Sequence, residues 1–424
     1  MNIFYPVSGG NEIGASCYFF HLGDSKIIVD MGKRYFGKKV YPDFLTLINK
    51  GFIDGLWEID AVFISHVHLD HIGGLINYID ELVNANIYIS AESFELYKAV
   101  LYCNLKKTDE KLESFFMEKI NKIMEKTVLL YYGEKYNIKD LQVTCFKAGH
   151  ILGASSILIE YKDRKILYTG DFTDYDLEAV KAQQLPKSLE VDILISESTY
   201  GYFENKINRK SDELNFIRRV KNIIDNGGNI LVPTFALGKS QEIALILKKY
   251  LNNGILPNNM HVVLDGLCIT YSLIYQKSGI TIFNDNINIA KSNFHKKINN
   301  LSRTIVITSS ANMAPYSRSY YYYKEMMDDS KNKLFLSYYR DEEYVKEKYI
   351  NKFKRNQNTY FYRIATHADV IGIKNLIEKT QPKKVIFVHG DFSSKNRNNI
   401  YSLFINFFKD IEFILSLNNK EYYF

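Results

Sequence analysis

Six consecutive residues, His66-Val67-His68-Leu69-Asp70-His71, place three imidazoles and a carboxylate directly behind the apolar, β-branched run 61–65. Such a run reads as a buried strand. A strand that ends in four ionisable side chains needs a scaffold that gathers them into a protected site. Borderline-hard nitrogen and oxygen donors of this kind suit zinc. Alternate positions on a loop face one way, so His66 and His68 can share one ion, while Asp70 and His71 can reach a second. Two further candidates sit at the ends of later strand-like runs. His150 lies in Gly149-His150-Ile151-Leu152-Gly153-Ala154, and Asp171 in Thr169-Gly170-Asp171-Phe172. Late in the chain, His389 follows the run 384–388 in Val388-His389-Gly390-Asp391. Side chains displayed where strands give way to loops are how an α/β scaffold builds a site.

The chain has 424 residues, enough for two or three domains, each with a buried core. Gly (23) and Pro (7) together fall well below the usual share of about 12%, which excludes collagen-like and low-complexity classes. No apolar run approaches the roughly 18 residues needed to span a bilayer. The start, Met-Asn-Ile-Phe-Tyr-Pro, lacks the basic and apolar regions of a secretory signal. Cys17, Cys103, Cys145 and Cys268 are too sparse and too far apart for a disulfide scaffold or a Cys-x-x-Cys pair. These features predict reduced thiols, a cytoplasmic protein and no membrane partner. A formal charge of +6 fits an anionic partner but identifies none.

Strand-like runs at 4–6, 15–20, 26–29, 61–65, 87–90, 142–147, 156–161 and 165–169 fill the first half, with a solvated, Lys/Glu-laced helical stretch at 105–126. A new α/β pattern starts beyond the polar stretch 204–212: helix 213–225, strand 229–232, helix 240–251, strand 261–264 and strand 304–308. Strand and helix then resume near Tyr360. This pattern predicts residues 1–203 as the first part of one domain, 204–358 as an inserted domain, and 359–424 as the completion of the first.

Eight segments, in this order and spacing, resemble the β-CASP branch of the metallo-β-lactamase-fold nucleases. That branch includes ribonuclease J and the endonuclease subunit of the cleavage and polyadenylation machinery. The segments are Ile28-Val29-Asp30-Met31-Gly32, residues 66–71, 148–154, 168–172, Glu197-Ser198-Thr199-Tyr200-Gly201, Val232-Pro233-Thr234-Phe235-Ala236-Leu237-Gly238, Ala365-Thr366-His367-Ala368-Asp369, and 387–391. The resemblance implies an α/β fold, a metallo-β-lactamase αββα sandwich with an inserted α/β β-CASP domain. It implies two zinc ions per chain, one held by His66, His68 and His150, the other by Asp70, His71 and His389, with Asp171 bridging. Asp30 would orient the histidine loop. His367 would be the general acid and Glu197 its partner; with Asp70 and Asp171 they form the implied catalytic set. The implied reaction is hydroxide attack on an RNA phosphodiester, endonucleolytic or from a 5′ end, leaving 5′-phosphate and 3′-hydroxyl ends.

Substrate contacts are implied at Lys239, where the family usually has Arg, and at Ser309 and Ser310. Lys33, Arg34, Lys206, Arg209 and Lys210 lie near motifs and could meet phosphates, although each reads more readily as solvated surface. The run Tyr320 to Tyr323 could stack bases but fits better a helix with its tyrosines half in a core. One departure from the family is the segment 336–343, Leu-Ser-Tyr-Tyr-Arg-Asp-Glu-Glu, where small residues are usual. No appended dimerisation or KH module is expected, and the oligomeric state stays open. A DNA nuclease of the same superfamily and a non-catalytic partner of an RNA-processing complex are the competing readings. His389 favours RNA over DNA, because the DNA-processing branch typically carries an apolar residue there; the RNA is expected to be single-stranded.

Overall fold

A computed structural model of the chain describes residues 2–34, 40–105, 110–201, 208–337, 358–392 and 402–424. The chain divides into two compact units, Met1–Lys206 with His367–Phe424, and Ile207–Thr366. Among the described residues the strands form three sheets.

In the first unit, β1 (Asn2–Ser8), β2 (Cys17–Leu22), β3 (Ser25–Val29), β4 (Ala61–Ile64), β5 (Asn86–Ser90) and β6 (Thr127–Leu130) lie side by side in that order. The next five strands build a second sheet: β7 (Lys135–Ile138), β8 (Leu141–Lys147), β9 (Ser155–Tyr161), β10 (Arg164–Tyr168) and β11 (Ile193–Glu197). Two-residue turns join β2 to β3, β7 to β8, and β9 to β10, and each has Asp in second place. The first turn residues Gly23, Lys139 and Lys162 have φ of 61°, 50° and 53°, the left-handed conformation that tight hairpins demand.

Among the described residues the second unit holds one six-stranded sheet with helices between its strands. Its strands are β12 (Ile230–Pro233), β13 (His261–Asp265), β14 (Ile287–Ile289), β15 (Thr304–Thr308), β16 (Lys333–Ser337) and β17 (Thr359–Tyr362), in the order β14-β13-β15-β12-β16-β17. Every pairing is parallel, and the central strands are runs of Ile, Leu and Val buried on both faces, as helix-covered parallel sheets require. The stretch 359–362, expected to begin the completion of the first domain, instead hydrogen-bonds to β16 as the edge of this sheet. The unit therefore extends to Thr366. The divergent segment 336–343 falls from residue 338 onward outside the described residues, as does the expected boundary at 203/204.

The chain then returns to the first unit with β18 (Lys384–Val388), β19 (Glu412–Leu415) and β20 (Tyr422–Tyr423). Strand β20 joins β1, while β18 and β19 extend the second sheet beside β11. One apolar core joins the two sheets: Phe4, Phe20, Val29 and Phe63 from the first meet Val143, Ile159, Ile195 and Ile386 from the second. The helices Ala91–Leu105 and Glu110–Lys126 lie against β5, and the helix Val370–Thr380 against β11. This is an αββα sandwich.

Strand direction explains why chemistry can concentrate at one rim. In the first sheet β3, β4 and β5 run parallel, so Asp30 and His66 emerge at the same edge. In the second sheet β10, β11 and β18 run parallel, and Asp171, Glu197 and His389 emerge together. Strand β9 is antiparallel to β10, so its beginning, just after His150, lies at that edge too. A core test follows. Phe20 is fully buried, its ring 5.1 Å from that of Phe4. Phe20→Ala should cost about 3–5 kcal/mol, read from the urea midpoint; a loss below about 1 kcal/mol would contradict this core placement.

Candidate metal centre

The site starts with Asp30, which follows β3 at φ 61°. Left-handed backbone is tolerated best, after Gly, by Asp and Asn. Asp30 Oδ1 accepts the Ser65 N–H at 2.7 Å, and Oδ2 accepts the hydroxyls of Ser65 and Tyr168, each at 2.8 Å. Oδ2 also lies 2.8 Å from His71 Nδ1. One fully buried carboxylate therefore fixes the start of the histidine loop, the orientation of one of its rings and the end of β10. The backbone adds to this: Met31 N–H donates to the His71 carbonyl at 2.7 Å, Lys33 N–H to that of Leu69 at 3.0 Å, and Ser16 N–H to that of Asp70 at 2.7 Å. Gly32 lies in this seam, where a Cβ would fall 1.7 Å from the Asp70 carbonyl oxygen.

From this frame the side chains converge. His66 Nε2 is 3.2 Å from His68 Nδ1, and His150 Nε2 is 3.1 Å from the same atom. Asp171 Oδ2 lies 3.5 Å from His66 Nε2, 3.4 Å from His71 Nε2 and 3.7 Å from His150 Nε2. Its Oδ1 lies 3.7 Å from His389 Nδ1, and His389 Nε2 is 3.4 Å from Asp70 Oδ2. Two neighbouring donor groups result, His66/His68/His150/Asp171 and Asp70/His71/His389, and in each the ligand atoms lie within 4.8 Å of one another. A third grouping, Asp171/Glu197/His389, adjoins them. His150 and His389 sit at φ 55° and 49°, sparsely populated for such side chains and held only where surroundings demand it.

The donor set fits metal ions. Imidazole nitrogens 3.1–3.2 Å apart match the edge of a zinc tetrahedron, about 3.3 Å for Zn–N bonds of about 2.0–2.1 Å. Asp171 Oδ1 is buried without a hydrogen-bond partner, an arrangement that is costly unless a cation is close. The carboxylates are held ionised, and against the effect of burial the charge of Asp171 raises His71 and His389 above the ordinary imidazole value. Burial alone would raise the Asp171 carboxyl, yet the charges of His389, His71 and His66 hold it well below the usual carboxylate range. Burial likewise opposes ionisation of Asp70, but the hydrogen bond from His389 and the charge of His71 pull it down to about 2. The His66 ring is pushed well below its ordinary value, first by burial and then by its imidazole neighbour His71, which leaves a neutral nitrogen of the kind a metal takes.

His367 lies beside this cluster. Its ring is 4.4 Å from that of His150, and its Nδ1 is 3.0 and 3.1 Å from the two carboxylate oxygens of Glu197. Glu197 is buried at the end of β11 and accepts the Phe172 N–H at 2.8 Å and the Thr199 hydroxyl at 2.5 Å. Thr199 Oγ1 is also 2.9 Å from His389 Nδ1, so one hydroxyl couples the Glu197–His367 pair to the metal cluster. Sequence reasoning assigned no role to Ser65, Tyr168 or Thr199. Thr199 alone left a local signal, two positions past Glu197 and hence on the same side of an extended segment.

The cluster is built entirely from the first unit, whereas the expected substrate contacts belong to the second. Lys239 is buried at the first position of the helix Lys239–Asn252, which follows β12. Ser309 and Ser310 follow the neighbouring strand β15, and the Ser310 N–H reaches Ser319 Oγ at 3.4 Å. Arg34 is bound to Glu12, and Arg209 to Glu242 and the Ala365 carbonyl, so neither is simply solvated surface. Lys33 is half-buried and Lys210 exposed, while Lys206 lies outside the described residues. Tyr320 to Tyr323 fall on the helix Arg318–Met326, with Tyr322 in the core and its hydroxyl on Asp265.

Comparison with known proteins agrees with this geometry. The chain is 32% identical over 401 residues to "Probable RNase MJ4" of Methanocaldococcus jannaschii, spanning 90% of this chain and 91% of that one. The chain belongs to the β-CASP family of metallo-β-lactamase-fold nucleases. It is also 25% identical over 427 residues to cleavage and polyadenylation specificity factor subunit 3 of Dictyostelium discoideum, covering 92% of this chain and 54% of that protein. A family model described as "Anti-Pycsar protein Apyc1" matches residues 18–218 of this β-CASP chain. In fold it is similar to a protein of unknown function from Enterococcus faecalis V583, with a TM-score of 0.62, 17% identity and full coverage of both chains. Among the described residues no helix is long and apolar enough to cross a membrane.

The Asp30 frame generates a prediction. Asp30→Asn keeps the shape but loses the charge that orients His71. Metal affinity should fall about 10–100-fold, measured by competition with a chelator; unchanged affinity would show that Asp30 does not support the site.

Proposed function

We propose that the chain is a zinc-dependent ribonuclease that hydrolyses phosphodiester bonds of single-stranded RNA in the cytoplasm, leaving 5′-phosphate and 3′-hydroxyl ends. The observation that carries this reading is His367, held by Glu197 at 3.0 Å with its ring 4.4 Å from that of the cluster histidine His150. A sugar alkoxide is a poor leaving group, and a proton donor beside a metal cluster supplies what its departure needs. A relative named as a probable RNase that aligns over nine-tenths of the chain supports RNA as the substrate.

In this reading His66, His68 and His150 would hold one zinc and Asp70, His71 and His389 the other, with Asp171 as the carboxylate they would share. When bound, two such cations neutralise phosphodiester charge as Lewis acids and acidify a water molecule for attack. The chain's own residues do the rest. Asp30 fixes the rings, and Asp70 and Asp171 contribute the carboxylates of the catalytic set. Glu197 accepts the Nδ1–H of His367 and so orients the ring, which leaves Nε2 to carry the transferable proton. Residues 207–366 are the inserted β-CASP domain, with Lys239, Ser309 and Ser310 assigned to the RNA backbone.

Digestion of matched, labelled RNA and DNA strands tests the substrate: RNA should be cut preferentially, and preferential cleavage of DNA would overturn the choice. His367→Ala should keep its metal yet lose about 10²–10⁴-fold in rate. Full activity in that variant would remove the acid role.

A further inference from the structure

The segment that follows Asp171 makes a second set of contacts, to the backbone that carries His367. The Phe172 carbonyl accepts the Ala368 N–H at 2.7 Å. The Tyr175 hydroxyl donates to the His367 carbonyl oxygen at 3.0 Å. That carbonyl and the Ala368 N–H belong to one rigid peptide plane. Residues 172–175 therefore grip a single plane at its oxygen and at its nitrogen, and the plane cannot turn without breaking one bond. The same segment holds the side-chain partner of His367, because the Phe172 N–H donates to Glu197 Oε1 at 2.8 Å. The ring of Tyr200 meets the His367 ring edge-on at 5.1 Å, and Tyr200 forms an isolated bridge with Asp369. Of these groups Tyr175 is the informative one. Its ring is only half-buried, and removing its hydroxyl leaves Glu197, the cluster and the peptide chain intact.

We propose that Tyr175 is a positioning residue for proton delivery by His367, acting through the His367–Ala368 peptide plane. The role rests on the assignment of His367 as general acid. In that step water adds its hydroxyl to phosphorus, its other proton passing to solvent, and the bond from phosphorus to the 3′ oxygen breaks. The electron pair goes to that oxygen, which takes the proton from His367, and the imidazole is reprotonated from solvent. Tyr175 touches none of these atoms. It sets the direction from which the proton comes, so its loss should slow only reactions that need the proton.

A pair of oligonucleotides tests this, single-stranded RNAs with one 2′-deoxy residue at the cut, in which the bridging 3′ atom is oxygen or sulfur. The sulfur leaves as a thiolate, far less basic than an alkoxide (a cysteine thiol has a pKa of about 8.5), so it departs without general-acid help. Tyr175→Phe should lower kcat on the oxygen substrate by about 3–10-fold, the worth of one hydrogen bond, with KM unchanged. On the sulfur substrate it should match the parent enzyme. His367→Ala should show the same pattern with a larger loss. The ratio of the two rates within one preparation does not depend on how much of it is folded. If Tyr175→Phe is slowed equally on both substrates, or on neither, while His367→Ala shows the leaving-group pattern, the Tyr175 role is overturned alone. If His367→Ala is itself slowed equally on both, the acid assignment falls and the Tyr175 role with it.

Discussion

The Asp171 carboxylate, buried with imidazoles within 3.4–3.7 Å on several sides, is the constraint on which the rest of the first unit depends. A lone carboxylate in a sandwich core would be protonated or expelled. Here His66 and His71 arrive from the first sheet, His150 and His389 from the second, and Asp171 from the end of β10 between them. Both sheets must present their carboxyl ends at one rim, and the parallel pairings of β3, β4, β10, β11 and β18 do so. The apolar core that joins the sheets holds that rim closed.

Around this carboxylate the polar contacts form two layers that meet at single atoms. Asp30 gathers Ser65, His71 and Tyr168 behind the histidine loop. Glu197 gathers Phe172, Thr199 and His367 on the other side. Thr199 then touches His389, so the layer that orients a proton donor and the layer that orients metal donors share a hydroxyl. Such sharing makes the effects of substitutions non-additive within the network.

Much of this was legible in the chain because the relevant signals are local. The strand runs before His66 and Asp171 and before His389 are short, apolar and β-branched, and each ends in an ionisable residue, so the order of elements and the donor residues could be read together. What was not legible depends on distance in sequence. Tyr168 meets Asp30 across 138 residues and Tyr175 meets His367 across 192; neither has a local pattern that marks it. The helix Ala91–Leu105 carries no sequence signal because its apolar residues are spread around it rather than confined to one stripe, which leaves no amphipathic period. The expected boundary near 359 falls short of Thr366 because Thr-Tyr-Phe-Tyr reads equally well as a strand of either sheet, and only pairing with β16 decides it.

The measurement that tests the account most directly is an anomalous-scattering map of zinc-loaded crystals collected on either side of the zinc edge. The account predicts two peaks in each chain, one among His66, His68 and His150, the other among Asp70, His71 and His389, with Asp171 contacting both. A single peak, or peaks away from Asp171, would contradict it.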